Sequence, residues 1–293
     1  MFFLEKEPKT FSPLGGACGT ARSEPLRDVI ARHGLAARKA LGQHFLLDLN
    51  LTARIAAAAA PLAGVHVIEI GPGPGGLTRA LLASPAASVT AIEIDRRAIA
   101  ALAELQPAAG ARLAVIQADA LGLDYPALTP APRAIVANLP YNIATPLLIS
   151  WLRAAGAFER LVLMFQLEVA ERICAPPDSP AYGRLAVLAQ FLCATDLVLR
   201  LPPAAFTPPP AVASAVVVLR PHPSQPPPAL RAALERVSAA AFGQRRKMLR
   251  RALAPLGGEA LLAAAGIDPT RRAETLSVAE FARLAALLLA RDE

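Results

Sequence analysis

The chain has 293 residues, with 30 Lys/Arg against 23 Asp/Glu and a net charge of +7, long enough for one large α/β domain and a small one. The basic balance favours a polyanionic partner, and nucleic acid over a membrane, because no stretch approaches the roughly 18 consecutive apolar residues of a spanning helix. Three cysteines (Cys18, Cys174, Cys193) without C-x-x-C spacing and four scattered histidines (His33, His44, His66, His222) exclude a disulfide framework and a zinc site, leaving a reducing cytoplasm as the expected setting.

The opening MFFLEKEPK is too short an apolar run, and too acidic, for a signal peptide; residues 1–26 read as a disordered arm. From Gly64 to Leu219, short Val/Ile/Leu-rich runs alternate with Ala/Leu-rich helical patterns: HVIEI, SVTAIEI, LAVIQA, RAIVA and LVLMF. Such alternation predicts βαβ units on a mostly parallel sheet buried on both faces. DLVLRL and SAVVVLR follow, and are expected as an antiparallel pair at one edge. RPHPSQPPP then breaks the pattern with a semi-rigid, proline-rich linker. Only helical patterns follow. The reading is a domain over 27–222 and a small all-helical one over 223–293.

HVIEIGPGPGGLTRALL reads as strand, glycine turn and helix. Gly71, Gly73 and Gly76 satisfy G-x-G-x-x-G, so a dinucleotide site has to be weighed. Pro72 and Pro74 remove N–H donors that a pyrophosphate would use. Glu69 would repel a diphosphate but suits a cation. The E-x-G-x-G-x-G form is the signature of S-adenosyl-methionine sites, whose ligand carries a sulfonium and an ammonium. Glu93, about 20 residues on at a strand tip, is placed to accept both ribose hydroxyls; Asp95 is the nearby alternative. Asp119, after the third strand, could accept from the adenine amine. Either acid alone reads better as a helix N-cap; three acids at successive strand ends point to a ligand.

NLPYNI closes the fourth strand. Pro140 restricts Leu139 to an extended conformation and so aims its carbonyl. Asn138 adds a second acceptor, and Tyr141 a ring on which a flipped-out base can stack. Two acceptors suit the two hydrogens of an exocyclic amine. An Asn-containing turn with a partly buried tyrosine is the plainer alternative. Further on, Arg245, Arg246, Lys247, Arg250 and Arg251 fall on one predicted helix, with Phe242, Leu249 and Leu253 on its buried face. Like charges at i,i+4 oppose each other there. The run reads as a phosphate-binding patch, against the alternative of a solvated face.

Taken together, these motifs resemble the ribosomal RNA small-subunit adenine N6,N6-dimethyltransferase family, from about Leu35 to Leu284. RKALGQHFLLD, VIEIGPGPGGLT, AIEID, QADAL, NLPYNI, SPAYGRLAVLAQ, PPAAFTPPPAVASAVV, AFGQRRKMLRRAL and RRAETLSVAEFARLA carry the resemblance in order. It implies a Rossmann-like S-adenosyl-methionine methyltransferase domain with a helical, RNA-docking tail. It also implies cofactor contacts at His44, Leu46, Gly71, Glu93, Asp119 and Asn138. The catalytic set would be Asn138, Leu139, Pro140 and Tyr141, with Phe206 as a second stacking ring; by its own pattern Phe206 reads equally as a core aromatic between prolines. Leu167 stands where relatives often carry lysine. The implied reaction is dimethylation of two adjacent adenosines near the 3′ end of 16S rRNA, in a late 30S assembly particle, by a cytoplasmic monomer. The rival readings are an assembly factor acting mainly by binding, a large-subunit rRNA methyltransferase, and a nicotinamide oxidoreductase.

Overall fold

Five of the predicted runs form the parallel centre of a seven-stranded sheet in the computed structural model, which describes residues 24–38, 42–244 and 246–292. Most of the expected arm lies outside the described residues. Its last part does not match the expectation: Leu26 opens α1 (Leu26–Arg32) and is buried, and the Glu24 carbonyl accepts from Arg79. Next come β1 (Phe45–Leu46), α2 (Leu49–Ala58), β2 (His66–Ile70), α3 (Gly76–Leu82), β3 (Ser88–Glu93), α4 (Arg96–Ala103), α5 (Gln106–Ala109), β4 (Leu113–Gln117), α6 (Tyr125–Leu128) and β5 (Arg133–Asn138). The catalytic half continues through α7 (Tyr141–Arg153), β6 (Arg160–Gln166), α8 (Leu167–Cys174), α9 (Arg184–Leu192), β7 (Cys193–Leu201), β8 (Phe206–Thr207) and β9 (Ser214–Pro221).

The strand order is β4-β3-β2-β5-β6-β9-β7, and β9 and β7 are the antiparallel members. Central strands are buried on both faces, so alternate side chains feed two cores. Ile68 and Ile70 enter one, with Leu147, Trp151 and Phe165. Val67 enters the other, with Leu77, Leu81 and Val136. Each such side chain contributes about 1.5–3 kcal/mol on burial, which pins the register. After β2 the chain moves outward to β3 and β4, then returns to place β5 on the other side of β2. That reversal opens a crevice beyond the carboxyl ends of β2 and β5, where open α/β sheets bind ligands.

The chain leaves the sheet at Pro221 and enters α10 (Pro228–Gly243) at the last linker proline. The linker is held to the catalytic half: His222 N and Gln225 Nε2 both donate to the Leu192 carbonyl. α11 (Leu249–Ala252), α12 (Gly258–Ala264) and α13 (Val278–Asp292) complete the helical region. Leu234, Val237, Phe281 and Leu284 join the same buried cluster as Ala186, Val187 and Ala189 of α9. The single helix expected over AFGQRRKMLRRAL is corrected here. α10 ends at Gly243 and α11 starts at Leu249, with Arg246 and Lys247 in the exposed connection. The break follows from backbone pairing, since Leu249 N and Arg250 N donate to the carbonyls of Arg271 and Pro269. The i,i+4 repulsion between 246/250 and 247/251 therefore does not arise.

Candidate active site

Gly71, Gly73, Glu69, Glu93, Asp119, Asn138 and Tyr141 converge on the crevice beyond β2 and β5, as do His44 and Leu46 from the β1 segment. Two glycines show why the loop needs them. Gly73 has φ +55°, and a Cβ there would lie 3.1 Å from the Phe45 ring. At Gly76 a Cβ would meet Leu26 at 2.8 Å and the Leu46 carbonyl at 3.2 Å. The loop thus seats α3 tightly under β1 and keeps its backbone bare toward the crevice.

The three acids differ in how they are held. Glu93 accepts from Gly73 N at 3.2 Å, Ile94 N at 2.8 Å and Asp95 N at 2.9 Å. Burial raises its pKa, and these backbone donors work against the rise. Its Oε2 accepts only from Gly73 and keeps a free lone pair. Asp119 caps a turn, accepting from Leu121 N at 3.0 Å. The alternative Asp95 is spoken for. It N-caps α4 and is paired with Arg97, whose hydrogen bonds pull its pKa down to about 2. Glu69 is the outlier. Its carboxyl is buried, and no described residue meets either oxygen in ideal hydrogen-bond geometry, although Thr78 lies close enough to lower its pKa. Burial pushes its pKa up to about 8; hydrogen bonding from Thr78 opposes the rise, and the charge of Glu93 adds to it.

At the end of β5 the Leu139 side chain is buried in the core, and no described residue donates to its carbonyl. Asn138 Nδ2 donates to the His44 carbonyl at 3.3 Å, which turns Oδ1, to which no described residue donates, the other way. Tyr141 is held at both ends. Its hydroxyl lies 2.7 Å from the buried Ser214 hydroxyl on β9. His44 stacks on the ring at 5.7 Å between centroids and 26° between planes. His44 Nδ1 in turn donates to the Pro208 carbonyl at 2.8 Å. The imidazole thus packs against one face of the Tyr141 ring. Sequence reasoning missed the stack and the Ser214 contact, because both partners lie far off in the chain.

Phe206 does not join this group. Its ring is 3% exposed, pairs across from Leu46 and packs in the core with Met164 and Val216. This packing accords with the core reading of that residue. Arg246, Lys247, Arg250 and Arg251 are exposed on the helical region; Arg245 lies outside the described residues. Glu259 of α12 approaches Arg250 at 3.7 Å, an exposed pair worth little.

The ribosomal RNA adenine dimethylase family model matches residues 34–289. The chain belongs to that family. Its curated relatives include ribosomal RNA small subunit methyltransferase A of Gluconobacter oxydans, 64% identical over 90% of this chain and 88% of the relative. The protein of the same name from Sinorhizobium medicae is 60% identical over 89% and 96%. Among solved structures, a dimethyladenosine transferase from Plasmodium falciparum has a TM-score of 0.70 at 26% identity, covering 82% of this chain and 96% of that one. The 23S rRNA methyltransferase ErmE has 0.67 at 28%, covering 83% and 99%. The chain is thus an rRNA adenine dimethyltransferase of the class I, S-adenosyl-methionine-dependent kind, with a Rossmann-like sheet and a helical C-terminal region. The crevice residues fit that cofactor: acids stand at the ends of β3 and β4 for hydroxyls and an amine, and a buried carboxyl on β2 suits a cation. No helix among the described residues is long and apolar enough to cross a membrane.

Proposed function

We propose that this enzyme dimethylates the exocyclic amines of two adjacent adenosines near the 3′ end of small-subunit rRNA, acting as a cytoplasmic monomer on a late small-subunit assembly particle. The observation that carries the chemistry is a pair of acceptors at the end of β5 to which no described residue donates, Asn138 Oδ1 and the Leu139 carbonyl. The bound cofactor supplies a methyl group activated on a sulfonium. Asn138 and Leu139 each accept one N–H of the adenine amine and turn its lone pair out of conjugation, toward that methyl. Pro140 fixes the carbonyl, and Tyr141, braced by His44 and Ser214, stacks the base on its ring. The amine becomes acidic as it is methylated and loses its proton to water, so no general base is called for. Glu93 and Asp119 are assigned to the ribose and adenine of the cofactor, with His44, Leu46 and Gly71 lining its path.

The helical region, 223–293, is assigned to docking the particle. Residues 222–293 hold eleven Lys/Arg against seven Asp/Glu, and the exposed Arg246, Lys247, Arg250 and Arg251, with Arg245 beside them in sequence, suit phosphates. Curated relatives named for the small subunit, at 58–64% identity, favour that subunit over the large one. The test is mass mapping of modified nucleosides in both rRNAs from cells lacking the protein. Loss of two neighbouring N6,N6-dimethyladenosines from small-subunit rRNA is expected. Loss from large-subunit rRNA would overturn the substrate assignment.

A further inference from the structure

Arg97 stands where helix physics gives it no reason to be. It lies in the first turn of α4, next to Arg96, and a cation there opposes the helix dipole. Asp95 already caps α4, accepting from Arg97 N at 3.1 Å. The guanidinium has other partners. Its Nε and Nη2 take the two Asp95 oxygens at 3.1 and 2.6 Å. Its Nη1 donates to the carbonyls of Gly34 at 2.5 Å and Ala36 at 3.4 Å. Those carbonyls flank Leu35, which clusters with Ala98 and Ala101 of α4. Gln43 closes the circuit: its Nε2 donates to Asp95 Oδ2 at 3.3 Å, and its Oε1 accepts from Arg38 N at 3.1 Å. Residues 34–38 and Gln43 are thereby tied to one carboxylate–guanidinium pair.

The stretch that follows, 42–46, crosses the crevice between the tips of β3 and β5. Gly42, Gln43, His44 and Leu46 line it, whereas Asp95 and Arg97 do not. At the β5 end, a Cβ on Gly42 would lie 3.1 Å from Asn142 Oδ1 and 3.6 Å from Pro140. The His44 carbonyl there accepts from Asn138, and β1 pairs with β8. At the β3 end, the fastening among the described residues is the Gln43–Asp95 bond. Asp95 N in turn donates to Glu93 at 2.9 Å, so the same turn carries the acid assigned to the ribose.

We propose that Arg97 is a positioning residue for the cofactor: by locking Asp95 to the Gly34 and Ala36 carbonyls, it holds Gln43 and the stretch after it across the bound molecule and sets how long that molecule stays. This rests on the cofactor placement proposed above. A guanidinium suits the task because its planar fork engages a carboxylate with two N–H groups while another reaches the backbone. Without it, Asp95 keeps its cap, but Gln43 bonds to a carboxylate that is free to turn. The β5 end is anchored separately, so the chemical step does not depend on the lock. Dimethylation consumes two cofactors per base, and residence time is therefore felt at every exchange.

The experiment compares Arg97→Lys and Arg97→Ala with the native full chain. Stopped-flow dissociation of S-adenosyl-methionine and S-adenosyl-homocysteine is read beside steady-state methylation, with thermal unfolding on the same samples. Arg97→Lys keeps the charge opposite Asp95 and guards against misfolding of the alanine variant. Both variants should raise KM for S-adenosyl-methionine about fivefold to tenfold, through faster dissociation, with kcat within about twofold of native. Gln43→Ala should raise KM as well. Adding Arg97→Lys to it should change nothing further, because Arg97 acts through Gln43. A lysine variant as tight as native would show that charge beside Asp95 suffices, and would overturn the inference. So would a fall in Tm with KM unmoved, which is what a purely helix-capping role predicts, a fall in kcat with KM unmoved, or additive effects of the Arg97 and Gln43 changes. Failure of the native protein to bind S-adenosyl-methionine would instead overturn the cofactor placement itself.

Discussion

Glu69 makes a prediction for the protein without cofactor. Its ordinary value of 4.5 is raised to about 8 on folding. Between those values the folded state keeps a proton that the unfolded chain has lost, so this group's contribution to stability is fully present below pH 4.5 and is lost as pH rises toward 8. Glu69→Gln should therefore flatten the decline in Tm between pH 5 and pH 8, read by thermal unfolding; identical pH profiles for the two proteins would contradict it. Glu93→Ala removes an acceptor from the cofactor, one backbone bond from the glycine loop and two from the turn between β3 and α4. We expect cofactor affinity to fall by about 2–3 kcal/mol, measured by calorimetry. At Tyr141 the ring and the hydroxyl separate. Tyr141→Ala should abolish methyl transfer. Tyr141→Phe keeps the stacking face and should retain most of it, at a cost of about 1 kcal/mol in stability because the buried Ser214 hydroxyl loses its partner. Equal inactivity of the two in a methylation assay would show that the hydroxyl itself acts on the substrate.

At the scale of elements, the glycine loop and the α10–α11 connection carry the next tests. A side chain at Gly76 would press on Leu26 and the Leu46 carbonyl, so Gly76→Val should lift β1 from α3 and lower both stability and cofactor affinity, checked by unfolding and calorimetry on the same sample. The α10–α11 connection presents Arg246 and Lys247 without the Glu259 pairing that engages Arg250. Changing both to Glu should weaken binding to small-subunit particles and reduce the log–log salt slope by nearly one unit per lost phosphate contact. Cofactor affinity should be unchanged, and an unaltered slope would leave this turn as an ordinary solvated surface. These two elements also differ in how far they could be read beforehand. Strand, glycine turn and helix follow from a local pattern, β-branched runs and glycines whose φ the backbone demands. The break after Gly243 is set by Arg271 and Pro269 carbonyls over twenty residues away, and charge periodicity carries no trace of them.

Across the whole molecule, the parallel sheet and the helical tail were legible because two-sided burial writes continuous apolar runs into the chain. The convergence of Glu93, Asp119 and Asn138 was legible for the same reason, since strand tips share one edge. The core position of Phe206 was not, because a phenylalanine between prolines is compatible with either a base platform or a packed interior until its partners, Leu46 and Met164, are known. Nor was the bracing of Tyr141 by Ser214, which depends on β9 returning beside β6. The account as a whole places methyl transfer at the end of β5. Its most direct test is methylation of isolated small-subunit particles by the native enzyme and by Asn138→Ala, scored by mass spectrometry of N6-methylated adenosines, with cofactor binding measured on both. Two adjacent dimethyladenosines from the native enzyme are expected, with transfer by Asn138→Ala reduced at least about 100-fold in a protein that still folds and binds cofactor. Native-like transfer by Asn138→Ala would contradict the account.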